Sequence, residues 1–239
     1  MINETKLSSF LGHIEELRWR VLQYLGVYVV CCFIAYPLTS KILPFVINPV
    51  GSVVFQAPGE AFSAYMMLTL LEAFIFSSPV FLYQVWAFAW EALTDKERKY
   101  IVLFGPCSLF FFLLGAAFAF YVVAPFAIRF LFSFSTENVV PMISIKSYIS
   151  FIGNLLVSFG VVFELPLALI FLVQIGIATP EFLRHFRRHV IMAVFIISAI
   201  LTPPDVVSQL LMALPLVVLY ELGVLFSVFF SKKEKAGSA

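Results

Sequence analysis

Charge is scarce in this 239-residue chain. Asp, Glu, Lys and Arg make up 12% of it, about half of the roughly 25% usual in soluble domains, which excludes an ordinary water-soluble globule. The 15 Lys and Arg against 14 Asp and Glu leave a formal net charge of +1, without the basic surplus that a nucleic-acid-binding surface needs. Cysteine and histidine are equally sparse. Cys31, Cys32 and Cys107 lie inside apolar runs and two are adjacent, which suits buried apolar side chains and neither a disulfide framework nor a metal cluster. His185 and His189 are four apart, but Arg184, Arg187 and Arg188 around them mark a solvated basic loop, and His13 stands alone. No G-x-S-x-G, H-E-x-x-H or P-loop occurs, so nothing supports an enzyme, and no metal or cofactor is expected. No internal repeat divides the chain.

Apolar residues are abundant, at 62%. A helix crosses a hydrocarbon core of about 30 Å in about 20 residues. Five runs qualify: Val21 to Leu38, Ser63 to Trp90, Tyr100 to Ala124, Ile149 to Ile175 and Leu210 to Phe230. A sixth, Val190 to Leu201, has 12 residues and would rise only about 18 Å. Charge placement decides the count, because short loops rich in Lys and Arg stay in the cytoplasm. Lys6, Arg18 and Arg20 precede the first run and Lys232, Lys233 and Lys235 follow the last. Both termini are therefore expected in the cytoplasm, which requires an even number of crossings. Six crossings place 12 of 15 basic residues inside, leaving Lys41, Arg129 and Lys146 outside.

The expected fold is therefore all-α: a polytopic membrane protein with six transmembrane helices and an amino-terminal amphipathic helix. Residues 1–20 form the cytoplasmic interfacial helix, 21–230 the membrane domain and 231–239 a cytoplasmic tail. The first run is too long for a cleaved signal peptide and no small-residue cleavage site follows it, so it is expected to be retained.

Leu7, Phe10, Leu11, Ile14 and Leu17 recur at three- and four-residue steps and define an apolar stripe, with His13, Glu16 and Arg20 on the other face. Such a helix can rest in the headgroup layer and present its carboxylate there. The pattern is met equally by a surface helix with a Glu16–Arg20 pair one turn apart. Between the second and third runs, Thr94-x-x-Glu97 matches a capping box, in which Glu97 bonds back to the Thr94 N–H. Two carboxylates converging at this level would suit neighbouring arginines, each taking a guanidinium in a fork that lysine cannot reproduce.

Glu164 lies about 16 Å from the inner end of its run, near the bilayer midplane. An ionisable group there is functional by default. Pro166 lacks an N–H and bends the helix beside it. Glu72 and Glu221 are further intramembrane acids. Asp205, in Leu201-Thr-Pro-Pro-Asp205, occupies the outer turn between the last two runs, where it can cap the final helix.

His13-Ile-Glu-Glu-Leu-Arg-Trp-Arg20, Tyr83-Gln-Val-Trp-Ala-Phe88, Lys96-Glu-Arg-Lys99, Val162-Phe-Glu-Leu-Pro166 and Leu201-Thr-Pro-Pro-Asp-Val-Val-Ser-Gln209 together resemble the TatC family, the multispanning subunit of the twin-arginine protein translocase. The resemblance implies a bacterial cytoplasmic-membrane receptor for signal peptides with paired arginines, exporting folded proteins with the proton-motive force. It points to Glu16 and Glu97 as arginine-binding carboxylates with Arg18, Gln84 and Phe88 nearby, to Glu164 as the intramembrane group facing the signal peptide or partner subunits, and to Asp205 as the outer-turn acid. Implied partners are the bilayer, single-span subunits resembling TatA and TatB, and further copies in a larger complex. Two departures stand out: the family commonly has Pro a few residues after the Trp-Ala-Phe element where this chain has Trp90-Glu91, and Glu15 stands beside Glu16, so the choice of Glu16 rests on its distance of two from Arg18. Glu72 matches no family position. Intramembrane acids and a bent helix also suit a proton-coupled solute transporter with Glu164 as relay, although repeats in two halves are lacking.

Overall fold

The computed structural model describes residues 2–91, 93–95, 97–136, 142–201 and 206–237, with side chains described at all of these except 2–11, 13, 201, 207, 208 and 230–237. Among the described residues there are helices and no strands. Helix α1 runs Ile2–Ile47, α2 Glu60–Glu91 and α3 Arg98–Phe118. A π-helical turn, Ala119–Val123, carries α3 into α4, Ala124–Phe132. Then come α5, Ile145–Phe163, α6, Leu165–Gln174, α7, Pro180–His185, α8, Arg187–Leu201, and α9, Val206–Gly237.

The amphipathic stretch and the first run form one unbroken helix, with no turn between residues 20 and 21. Five segments are long and apolar enough to cross a membrane: Ile14–Ile47, Glu60–Glu91, Arg98–Phe132, Ile145–Gln174 and Gln209–Phe229. They correspond to the five long runs. The short sixth run begins three residues earlier than its apolar stretch, yet the 15 residues of α8 rise only about 22 Å, less than a hydrocarbon core.

Prolines 37, 44, 79, 106 and 215 lie inside helices, as spanning helices tolerate when neighbours satisfy the freed backbone. Pro166 acts differently. Without its N–H the ladder fails at Glu164, whose own N–H reaches three residues back to Val161 O at 3.1 Å. Helix α6 then restarts with Ala168 N–H on Glu164 O at 2.9 Å. The expected bend is therefore a break that separates α5 from α6 at the acid itself.

Glycine sets the closest helix approaches. A Cβ on Gly115 would overlap the Phe159 carbonyl, one on Gly160 would meet the Phe112 ring at 2.7 Å, and one on Gly223 would meet Pro166 Cα at 2.9 Å. These contacts join α3 to α5 and α6 to α9, as small residues do where apolar lipid offers no preference for apolar contact. Phe112, Phe159, Ile149, Ile152, Leu155, Met212 and Leu216 fill the interior. Helix α1 is the outlier: 6% of its apolar window is buried inside the protein, against 33–39% for the other four spans. It leans chiefly on α2, through Tyr24 to Ser77 (3.2 Å), Tyr28 to Leu70 O (3.1 Å) and Tyr65 to Tyr36 O (2.9 Å).

The end of α1, the segment leading into α2 and the start of α5 are tied by short polar contacts. Ile145 N–H donates to Val54 O and Val54 N–H to Ile143 O, each at 2.9 Å. Ser144, which caps α5, donates its hydroxyl to Glu60, and Tyr148 OH donates to Val46 O at 2.7 Å.

Candidate functional site

Glu16 and Arg20 are one turn apart on α1, and Gln84 and Glu91, seven residues apart, fall on one face of the last two turns of α2. Where the helices meet, these four side chains form one cluster. Arg20 Nε donates to Glu16 Oε1 at 2.6 Å, and Nη2 pairs with the same oxygen. Nη2 also reaches Glu91 Oε1 at 3.1 Å, and Nη1 reaches Gln84 Oε1 at 3.5 Å. Gln84 is held in turn by donating Nε2 to Gln23 Oε1 at 3.2 Å. The Arg20 and Glu16 side chains are 19% and 18% exposed and that of Glu91 48%. One guanidinium thus lies between two carboxylates, the planar fork arginine makes and lysine does not.

Apolar cavities adjoin the cluster on two sides. One of about 220 Å³ is lined by Leu17, Tyr24, Phe81, Gln84 and Phe88. The other, about 760 Å³, opens between α2 and α3 and is lined by Arg20, Tyr83, Trp86, Trp90, Glu91 and Pro106 among others. Phe88 is half-buried and Arg18 is exposed on α1.

Glu97 lies in the connection before α3 and turns its carboxylate onto Thr94, accepting from the backbone N–H at 2.8 Å and the hydroxyl at 2.7 Å. The Thr94 hydroxyl, then its N–H, hold the Glu97 carboxyl below its usual range. This is half of the expected capping box: the Thr94 hydroxyl goes to the carboxylate rather than accepting from the Glu97 N–H, which donates to Thr94 O at 2.9 Å. Arg98 beside it pairs with Asp95 at 2.7 Å and lies over the Trp90 ring at 5.4 Å. The acid that shares a guanidinium with Glu16 is thus Glu91 rather than Glu97. The sequence holds only part of the signal: a seven-residue spacing puts Gln84 and Glu91 on one face of α2, but not which helix crosses that face.

A family model described as Sec-independent protein translocase protein (TatC) matches residues 12–215. The chain belongs to the TatC family. Sec-independent protein translocase proteins TatC are similar over nearly its full length: 39% identity in Halothiobacillus neapolitanus, covering 100% of this chain and 67% of the relative, 38% in Carboxydothermus hydrogenoformans, covering 98% of each, and 38% in Escherichia coli K12, covering 93% and 89%. A crystal structure titled as the twin arginine translocase receptor TatC matches with a TM-score of 0.83 at 34% identity, over 90% of this chain and 99% of the other. The chain is accordingly a multi-pass membrane subunit of a protein translocase.

Within this TatC fold the remaining acids are spread out. Glu164, at the break between α5 and α6, is half-buried and accepts from Ser108 Oγ of α3 at 2.7 Å. Glu72 is buried at 5% exposure, where Thr39 Oγ1 of α1 donates to its Oε2 at 2.9 Å and lies 2.9 Å from Thr69 Oγ1. The sequence names Glu72 as an intramembrane acid but not its partner, because Thr39 is 33 residues away. Glu221 pairs with Arg187 at 2.7 Å. His185 and His189 pack their rings on Phe186. Asp205 lies outside the described residues.

Proposed function

We propose that this chain is the signal-peptide receptor of a twin-arginine translocation system, capturing paired arginines at the cytoplasmic face and nucleating the complex that exports folded proteins with the proton-motive force. The observation that carries this reading is the Arg20 guanidinium already lying between Glu16 and Glu91 with Gln84 behind it: the cluster has the charge, fork geometry and partial burial that an arginine ligand requires. A basic peptide gains nothing from the average field of an inner surface with 12 basic and eight acidic residues, so recognition falls to specific carboxylates. Each desolvated arginine–carboxylate contact contributes about 1.5–3 kcal/mol.

In this reading Glu16 is the first arginine-binding carboxylate and Glu97, exposed on its connection, the second, reached when the ligand's guanidinium replaces the Thr94 bonds. Arg18 and Gln84 lie near the acids, Gln84 accepting from Arg20, and Phe88 borders the apolar cavity beside them. Glu164 contacts the inserted peptide or a single-span partner subunit of the TatA or TatB kind. The amphipathic start of α1 rests in the headgroup layer, both termini are cytoplasmic, and the passage arises from several copies together in the bacterial inner membrane.

The test is the affinity of the purified chain for two peptides differing only in Arg-Arg against Lys-Lys. At least about tenfold preference for Arg-Arg is expected, one lost forked contact being worth about 1.4 kcal/mol or more. Glu16→Gln should erase that preference; equal affinity in the unaltered chain would reject the receptor role. Against the solute-transporter alternative, the hydrogen bond given to Glu164 comes from Ser108, a hydroxyl rather than a second relay acid.

A further inference from the structure

Resting on the receptor reading, we propose that Arg20 is a resident guanidinium occupying the place on Glu16 that a ligand arginine takes, and that Glu91 is the second place to which Arg20 withdraws on binding. Glu91 is then a positioning residue: it acts through Arg20, and Arg20 sets the threshold a cationic ligand must exceed.

The geometry is that of a shared guanidinium. Nε and Nη2 face Glu16, and Nη2 and Nη1 extend toward Glu91 and Gln84. An arginine carries five N–H donors, so a small rotation of its flexible stem exchanges the Glu16 fork for one on Glu91 without leaving the cation unpaired. Exposure favours that direction. Glu91 is on the terminal turn of α2 with its side chain 48% exposed, whereas Glu16 is 18% exposed. An Arg20–Glu91 pair would be hydrated and mobile, and a ligand guanidinium on Glu16 would be the better shielded of the two.

Without Glu91 the exchange is obstructed. Arg20, only 19% exposed, would remain on Glu16 or stand as a bare cation beside the incoming one, a like-charge contact in a partly desolvated place. The acids beyond this end of α2 are engaged locally, Asp95 by Arg98 at 2.7 Å and Glu97 by the Thr94 N–H and hydroxyl at 2.8 and 2.7 Å. The arrangement also explains selectivity against weak cations. A lysine ligand offers a compact charge with no planar fork and competes poorly with the forked guanidinium already present, whereas an arginine replaces like with like.

The experiment uses the full chain in lipid nanodiscs and a labelled peptide with a central Arg-Arg, with a Lys-Lys peptide as control. Arg20→Gln, which removes the resident competitor, should tighten Arg-Arg binding about tenfold. Glu91→Gln should weaken it by a similar factor. Made in the Arg20→Gln chain, Glu91→Gln should shift affinity by less than about twofold, since Glu91 then keeps only its contact with Glu16 and no resident guanidinium is left to move. That coupling is the readout a merely structural role would not produce; Glu91→Gln keeps the side-chain shape, and Arg20→Gln shortens the side chain but keeps a polar end. Arg20→Gln that weakens binding or leaves it unchanged overturns the proposal. So does Glu91→Gln that costs the same in both backgrounds, which would make Glu91 a direct ligand. Absence of any Arg-over-Lys preference in the unaltered chain rejects the receptor reading itself, a failure visible before either substitution is made.

Discussion

Helices α1 and α2 are tied together twice, by two polar clusters of opposite character. At the end of α2 the tie is ionic: Arg20 bridges Glu16, Gln84 and Glu91 and is partly open to water. Nineteen residues further along α1 the tie is a buried hydroxyl–carboxyl contact, Thr39 to Glu72, with Thr69 beside it and exposures of 0–5%. The first can be rearranged by any cation that reaches it, because water and salt stand in for each bond while it is broken. The second has no such substitute in hydrocarbon or packed protein, where a lost partner leaves a polar atom unsatisfied. So α1 is held firmly around Thr39 and adjustably around Arg20, which in the proposed reading is where the ligand arrives.

The largest expected effect tests the firm tie. Glu72→Ala removes the acceptor of Thr39 and leaves a void beside a cavity of about 360 Å³ lined by Leu68, Leu71, Leu113 and Phe120 among others. It should destabilise the chain by about 2 kcal/mol, combining one lost intramembrane hydrogen bond with a core vacancy. Thermal inactivation in detergent at two salt concentrations reads this, and the loss should be independent of salt. Glu72→Gln, which keeps an acceptor for Thr39, should lose less than half as much. A salt-dependent loss, or an equal one for Ala and Gln, would erase the distinction between the two ties.

A second prediction carries the comparison to α3. Glu164 and Ser108 join α3 to the α5–α6 break at 2.7 Å, again through a hydroxyl and a carboxyl rather than an ion pair. In a vesicle assay of cargo with a paired-arginine signal, Glu164→Gln should keep activity within about threefold, since the amide still accepts from Ser108, while Glu164→Ala should lose about tenfold or more. Equal loss in both, with proton flux also lost, would make the ionisable group itself the functional element and revive the relay alternative.

The two ties were not equally legible in the sequence. Five spans could be read from uninterrupted apolar length, and a bend beside Glu164, which the structure makes a break, from the missing N–H of Pro166, because both are local consequences of residue type. The Glu16–Arg20 pair was visible as a one-turn spacing. That Glu91 completes it was not, since it depends on how α1 crosses α2 71 residues further along the chain, and the Thr94-x-x-Glu97 pattern drew attention to Glu97 instead. The Thr39–Glu72 contact was hidden for the same reason. A single threonine in an apolar run carries no period, and only the packing of α1 on α2 selects its partner. The continuity of α1 through residue 20 was missed because a change from amphipathic to uniformly apolar sequence looks like a boundary, although no glycine, proline or cap at residues 20 and 21 ends the helix.

The smallest expected effect concerns Glu97, an exposed acid whose tie is entirely local. Its carboxyl titrates below the usual 4.5 because the Thr94 hydroxyl and N–H bond the charged form. The folded value being depressed, the contribution is complete above the unfolded value and disappears as pH falls through the folded one. The start of α3 should therefore be indifferent to pH between about 6 and 8, where the carboxyl stays ionised, and loosen only below about 4.5. Hydrogen exchange at the Thr94 and Arg98 amides, compared with Glu97→Gln at each pH, measures this: the two chains should differ at neutral pH and converge in acid. If Glu97 is instead drawn into the Arg20 cluster, salt will alter its Thr94 protection as it alters Arg-Arg affinity. The inner-face acids would then act as one exchangeable unit rather than as a cluster beside a separate helix cap.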